Sequence, residues 1–468
     1  MEKWLGHALD YIPQWIEHQM RLSDQPGVAL AVSHKGKTVL ERAFGKANSV
    51  ADVSLTPRHR FRVASHSKSF TSAGIMRLRE QGALTLDDAA GRYVGGLHPA
   101  VAKATIGQLL SHSAGIIRDG TDSGQWVDRR PFPDEAELRA ALAGRPVIDA
   151  NTRFKYSNYG FGLLGLVIEA VAGESYKSWI KRTIVEPAGL SETEPDVPLP
   201  KGALMSRGHT GKLPAGRLVI PGDNSTRALA PATGFLSTAR DLARFFAALD
   251  PAAPGGLLSR ASRREMTRRQ WRNPNSAVER YYGLGIMCGT TAGWDWFGHA
   301  GGFQGFTTRT ATVPEIGVTL SILSDAADGP ALGLQDGAIH ILRQFRNHGA
   351  PSRRLANWAG RWWSLWGAVD LVPMGERVVV ADPAFGNPFT DAGEISVSGR
   401  DSGMISQAHG YASYGESARR LRGARGTATE LWLGGTKLLP EAKLVAEMAR
   451  RYAGKPNSRK TSGRKRRR

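Results

Sequence analysis

A serine hydroxyl becomes a useful nucleophile when a neighbouring base accepts its proton, and a desolvated lysine amine can serve as that base near neutral pH. Ser65-His66-Ser67-Lys68 offers this pairing at a three-residue step, which on a helix puts both side chains on one face. The same spacing recurs at Ser178-Trp-Ile-Lys181 and at Ser462-Gly-Arg-Lys465, so spacing alone does not select a site. Context does: Ser65 follows the segment Phe61-Arg-Val-Ala64 and opens a helix whose N-terminal amides can face an anion.

Two further segments extend the pair. Tyr156-Ser157-Asn158 is the one Tyr-x-Asn in the chain. In isolation it reads as a buried aromatic with a turn asparagine. Downstream of Ser65, it supplies the Tyr156 phenol as general acid or base near the nucleophile and leaving group, and the Asn158 amide for a substrate carbonyl or for Lys68. The third segment, Phe297-Gly298-His299-Ala300-Gly301-Gly302, falls at the end of a predicted strand. Small residues there let a substrate backbone lie against the strand edge, which makes His299 and Gly301 substrate-facing candidates. The N–H of Gly302 can pair with the N–H of Ser65 as an oxyanion hole.

These segments need a scaffold that brings distant parts of the chain together. Trp4 to Met20 repeats apolar residues at three- and four-residue steps, which predicts an amphipathic helix packed on a sheet. Gly27–Val32 and Thr38–Ala43 read as a hairpin about Lys35-Gly36. Short strands return at Tyr281–Cys288, Trp294–Phe297, Phe306–Thr312 and Val318–Leu323, followed by a helix from Ala331 to Phe345. Between the two groups the pattern is helical, with Ser65–Gln81, Phe161–Ala172 and Ala239–Leu249 as the clearest cases. The layout is α/β or α+β, a sheet built from both ends of the region with a helical insertion, and not a regular βαβ series. After Pro351 the texture becomes Trp-rich and alternating. The expected domains are therefore 1–350, a small β-rich domain over 352–450, and a basic disordered tail over 455–468.

In order, S-x-x-K, Y-x-N and H-x-G at a strand end resemble the serine β-lactamase and penicillin-binding protein superfamily, in particular the class C β-lactamase group with its esterase and D-aminopeptidase relatives. Leu109-Leu-Ser-His-Ser-Ala-Gly115, Ala230-Pro-Ala-Thr-Gly-Phe-Leu-Ser-Thr-Ala-Arg-Asp241 and Gly298-His-Ala-Gly-Gly-Phe303 are similar to linking segments of that group, over about residues 20 to 346. The resemblance implies an antiparallel sheet flanked by helices, an all-helical subdomain, and a site between them. It assigns Ser65 as acylated nucleophile, Lys68 and Tyr156 as the proton-shuttling pair, Asn158 as a contact of substrate and Lys68, and Gly302 as an oxyanion amide. Two residues depart from it. His299 stands where class C enzymes present a lysine, which disfavours substrates that depend on a carboxylate and favours other esters and amides. His66 within the first motif has no account from sequence. The stretch about Trp358-Ala-Gly-Arg-Trp-Trp363 resembles the small β-barrel appended to some D-aminopeptidase-like members.

Composition narrows the alternatives. Among 468 residues there is one cysteine, Cys288, so nothing requires an oxidising compartment, and no apolar signal segment or membrane span is evident; a cytoplasmic location is expected. The net charge of +20 includes eight Lys or Arg between Lys455 and Arg468 without an acid, a segment expected to be solvated and open to weak nucleic-acid contact. Arg260, Arg263, Arg264, Arg268, Arg269 and Arg272 read as a solvated helix face. No G-x-S-x-G, H-x-H or H-E-x-x-H occurs, which argues against an α/β-hydrolase and a metal hydrolase, and no cofactor is expected. The expected partner is a small ester or peptide substrate, with homo-oligomers compatible. The rival reading is a catalytically silent scaffold whose tail contacts nucleic acid.

Overall fold

The computed structural model describes residues 1–409 and 413–453; the expected tail at 455–468 lies outside the described residues. The chain divides into two compact units, one spanning Ile12–His340 and one combining Met1–Tyr11 with residues from Ile341 onward.

The larger unit is built on a nine-stranded antiparallel sheet. From edge to edge its strands are Val53–Ser54, Lys37–Asn48, Gly27–His34, Val318–Ser324, Phe306–Val313, Trp294–Phe303, Met287–Thr291, Arg280–Tyr282 and Trp271–Arg272. Early and late segments thus interleave, with Val28 opposite Ser324 and His34 opposite Val318 at the seam. Gly27–His34 and Val318–Ser324 are buried on both faces; the first is apolar from Val28 to Val32, whereas the second alternates Val, Leu and Ile with the small polar Thr319 and Ser321. The insertion between them supplies the helices Ser67–Glu80, Glu135–Leu142 and Asn158–Ala172, and the helix Ala239–Ala248 lies on the sheet at its centre.

Three local departures from the sequence reading matter for the site. The stretch expected as one strand over Tyr281–Cys288 is a tight hairpin, in which Tyr282 pairs with Met287 and the Gly283 N–H donates to Ile286. The turn is forced by Gly285, at φ 66°, packed so closely on the helix Ser67–Glu80 that a Cβ would lie 1.8 Å from Ser72 Oγ. The strand expected to stop at Phe297 instead runs through the glycines to Phe303. The arginine cluster is not one solvated face: the helix covers only Arg260–Thr267, and Arg263 is buried, donating to the carbonyls of Asp250 and Ala253.

The smaller unit is an eight-stranded antiparallel sheet in strictly sequential order from Gly360–Ser364 to Thr436–Leu438. Reciprocal main-chain bonds between Trp363 and Leu439, 2.7 and 2.9 Å, join its first strand to the residue after its last and nearly close it as a barrel. Trp358, Trp362, Leu371, Val378, Ile395, Leu431 and Leu438 fill its interior. Tyr11 belongs to this unit, its hydroxyl donating to Asp370, which also receives Arg361. No helix among the described residues is long and apolar enough to cross a membrane.

Candidate active site

The segment before the helix Ser67–Glu80 is a single 3₁₀ turn, Ala64–His66, and Ser65 sits in it. Entry into that turn needs a left-handed residue, Ala64 at φ 47°, a conformation that costs a non-glycine residue about 1–3 kcal/mol and persists only where its surroundings enforce it. Ser67 Oγ–H donates to the Ala64 carbonyl at 2.5 Å, and the same oxygen accepts from the Phe235 N–H at 3.0 Å.

His66 completes the brace and so acquires the role that sequence did not supply. Its ring is buried, with Nδ1 3.0 Å from the Val63 carbonyl and Nε2 3.0 Å from Thr310 Oγ1 on a central strand. A carbonyl can only accept, so Nδ1 carries the proton and Nε2 accepts from the threonine hydroxyl. Burial pushes the His66 pKa down to about 3, leaving the ring neutral.

Around Ser65 the three predicted groups meet. Lys68 Nζ donates to Ser65 Oγ at 3.0 Å, and the Tyr156 hydroxyl donates to the same oxygen at 2.9 Å. Lys68 Nζ also donates to Asn158 Oδ1 at 2.6 Å and to the Ala232 carbonyl at 2.9 Å, acceptors that hold two N–H groups and leave the third position of the nitrogen facing Ser65 Oγ. That carbonyl is available because residues Ala230–Gly234 form a π-type turn, which frees carbonyls from the helical ladder; Pro231 gives its own to Thr71. Burial drives the Lys68 amine well below its ordinary value, opposed by the Asp119 carboxylate and assisted by the Arg118 charge. Burial likewise drives the Tyr156 phenol up, away from phenolate at neutral pH. Of the two partners of Ser65, the lysine is therefore the one poised to be an uncharged base.

Tyr156 and Asn158 are held from behind. Ser157 caps the helix Asn158–Ala172 by accepting from the Gly160 N–H at 2.9 Å. Its own N–H donates to His112 Nδ1 at 3.1 Å, and the His112 ring lies 4.1 Å from that of Tyr156. Asn158 Nδ2 donates to Asp119 Oδ1 at 2.6 Å, and Arg118 Nε pairs with the other carboxylate oxygen at 3.2 Å. Asp119, His112 and the Ala232 carbonyl are groups of the candidate site that sequence reasoning missed. His112 and Ala232 lay in segments noted for their resemblance, whereas Asp119 carried no motif at all.

The glycine-rich strand runs beside the nucleophile. A Cβ on Gly301 would meet the Val63 carbonyl at 2.2 Å and Thr308 Oγ1 at 2.4 Å, so only glycine lets the strand approach the turn this closely. Gly302 faces open space. Phe303 and Phe306 flank a two-residue turn, so they form a hydrogen-bonded pair, and Gly302 opposite Thr307 is the next, non-bonded one. The Gly302 N–H therefore points away from the neighbouring strand Phe306–Val313. On that other side Met287–Thr291 pairs no further than Gly298, leaving the edge from His299 to Phe303 open. The His299 side chain does not project into that opening. It is buried, with Nε2 2.9 Å from the Tyr282 hydroxyl and Nδ1 against the Ala300 main chain, and burial holds it neutral, well below its usual pKa.

A family profile described as Beta-lactamase matches residues 12–343. Among characterised relatives, Protein flp of Staphylococcus aureus strain COL is 28% identical over 185 residues, 38% of this chain and 36% of that protein. Penicillin-binding protein 4* of Bacillus subtilis strain 168 is 32% identical over 173 residues, 36% of this chain and 37% of that protein. The chain thus spans little more than a third of these relatives' length. Among solved structures, the octameric penicillin-binding protein homologue from Pyrococcus abyssi superposes with TM-score 0.64 at 23% identity, covering 92% of this chain and 99% of that one. The D-amino acid amidase from Ochrobactrum anthropi SV3, complexed with L-phenylalanine amide, gives 0.63 at 21% identity over 72% and 99%. These likenesses support the mixed architecture of an antiparallel sheet with helices.

Proposed function

Because this chain belongs to the Beta-lactamase family, we propose that it is a serine hydrolase working through an acyl-enzyme on Ser65. One observation carries the reading: Ser65 Oγ receives hydrogen bonds from both Lys68 Nζ and the Tyr156 hydroxyl, at 3.0 and 2.9 Å. In the proposed first half-reaction, neutral Lys68 takes the Ser65 proton as Oγ bonds to the substrate carbonyl carbon. The negative charge moves to the carbonyl oxygen, which the N–H groups of Ser65 and Gly302 receive. On collapse, the bond to the leaving oxygen or nitrogen breaks, Tyr156 protonates that atom, and Lys68 returns its proton to Tyr156. Water then repeats the sequence on the acyl carbon with the same groups, releasing the acid and restoring Ser65.

The substrates proposed are small esters or amides, including D-amino-acid derivatives, in preference to β-lactams. The support is chemical: His299 is neutral and already partnered by Tyr282, so the strand supplies no fixed cation for a substrate carboxylate. The amide substrate class also accords with the D-amino acid amidase among the structural neighbours. A fluorophosphonate probe with intact-mass detection tests the reading. One adduct on the native chain, absent in Ser65→Ala, is expected; an unlabelled native chain would overturn it in favour of a silent scaffold.

A further inference from the structure

The smaller unit carries exposed apolar groups that its own core does not use. The first and second strands of its barrel, Gly360–Ser364 and Gly367–Met374, are joined by the two residues Leu365-Trp366. Such turns face water and ordinarily take small or polar residues such as Asn-Gly. Here they present an indole that is 94% exposed and a leucine that is 66% exposed. A large aromatic held at the tip of a paired hairpin, outside any core, is suited to contact another phase or molecule.

The helix Glu441–Tyr452 is the second such feature. No residue in it is buried, yet it is strongly two-sided. At 100° per residue, Leu444, Val445, Met448, Ala449 and Tyr452 share one flank, with Glu441 at its N-terminal end, while Lys443, Glu447, Arg450 and Arg451 share the other. Val445 and Tyr452 are 62% and 52% exposed, so the barrel leaves much of the apolar flank uncovered. The helix and the hairpin tip also leave from one place. Trp363, three residues before Trp366, exchanges main-chain hydrogen bonds with Leu439, two residues before the helix begins.

The third feature is charge. In sequence, the helix is followed by Lys455–Arg468, which contains eight basic residues and no acid. Nucleic acid would satisfy that charge and can stack bases on an exposed Trp366 or Tyr452, but it has no use for the aliphatic Leu365 and Val445 beside them. An anionic bilayer surface uses both: lipid headgroups attract the basic segment, the apolar flank settles at the acyl boundary, and Trp favours the interface. We propose that the C-terminal unit is a peripheral contact for anionic lipid membranes, made by the Leu365-Trp366 tip, the helix Glu441–Tyr452 and the basic segment after it. Neither signal suffices alone, since a short amphipathic helix or a basic segment by itself gives only weak, reversible attachment.

Co-sedimentation of the full chain with phosphatidylcholine vesicles, and with vesicles containing about one third phosphatidylglycerol, tests this. Partitioning roughly tenfold or more in favour of the anionic vesicles is expected, falling as salt screens the basic residues. Trp366→Ser and Val445→Asp together alter only exposed side chains. They should reduce that partitioning several-fold, with circular dichroism and probe labelling at Ser65 unchanged. Equal binding to both vesicle types overturns the proposal. So does parental binding by the double variant, and so does displacement from vesicles by single-stranded RNA that the double variant binds as the parent does, which would mark the basic segment as a nucleic-acid contact.

Discussion

Asn158 Nδ2 lies 2.6 Å from Asp119 Oδ1, while the oxygen of the same Asn158 amide lies 2.6 Å from Lys68 Nζ. The amide therefore reads a carboxylate on one side and an amine on the other, which fixes its orientation without ambiguity. Through it, Asp119 controls both the placement of Lys68 and its proton affinity, since its charge raises a lysine pKa that burial lowers. Asp119→Asn removes the charge and keeps the shape. The Lys68 amine should then lose its proton at lower pH, and the rising limb of the kcat/KM profile should move to lower pH. A limb that stays in place would exclude Asp119 from setting the charge state of the base.

Lys68 and Tyr156 both bond Ser65, but burial acts on them in opposite directions, lowering the amine and raising the phenol. Lys68→Ala should therefore slow acylation by roughly three powers of ten or more, as expected when a base that works with its nucleophile is lost. Lys68→Arg should not rescue it, because a guanidinium does not give up its proton. Stopped-flow labelling with an activated ester reports the acylation rate directly; near-native rates in Lys68→Ala would remove the lysine from the mechanism.

Much of this arrangement was legible in the residues. Alternation and apolar runs gave the hairpin of Gly27–His34 with Lys37–Asn48, and the late strands Phe306–Val313 and Val318–Ser324, because the pleat imposes a local pattern. The grouping of Ser65, Lys68, Tyr156 and Asn158 followed from motif order. What stayed hidden depends on contacts between distant segments. The hairpin inside Tyr281–Cys288 exists because Gly285 abuts Ser72 on a helix far away in sequence. His66 gained its meaning from Thr310, which no spacing rule connects to it. Asp119 is an acid in a loop without a motif, and only the turn of the chain that buries it against Asn158 distinguishes it from aspartates such as Asp122 nearby.

Gly301 and Gly302 are neighbours with opposite surroundings. A methyl at Gly301 would press on the Val63 carbonyl at 2.2 Å, within the turn that carries Ser65, whereas one at Gly302 meets nothing within 4 Å. Gly301→Ala should destabilise the chain by about 1–3 kcal/mol, in the range seen for overpacked sites, and sharply reduce probe labelling. Gly302→Ala should unfold at the parental temperature. Thermal unfolding of the two variants decides this, and equal midpoints would mean that the strand does not depend on close approach at Gly301.

Acid should unfold this protein early, and His66 is one cause. Its folded pKa is about 3 against an ordinary 6.5, so between those values the unfolded chain binds a proton that the folded chain does not. Stability is then fully present above pH 6.5, falls as pH decreases toward 3, and is lost from this source at about 1.4 kcal/mol per pH unit at most. His112 and His299 are buried and shifted in the same direction, so they steepen the loss over the acid side of the same range. Urea midpoints measured from pH 7.5 to pH 4.5 should decline with a slope reduced in His66→Gln, whose amide cannot titrate. The absolute stability of that variant should still be lower at pH 7.5, because it must remake the bonds to Val63 and Thr310 with a differently shaped group. A pH slope identical to the parental one would show that His66 takes up no extra proton on unfolding and that the neutral ring is not what braces the Ser65 turn.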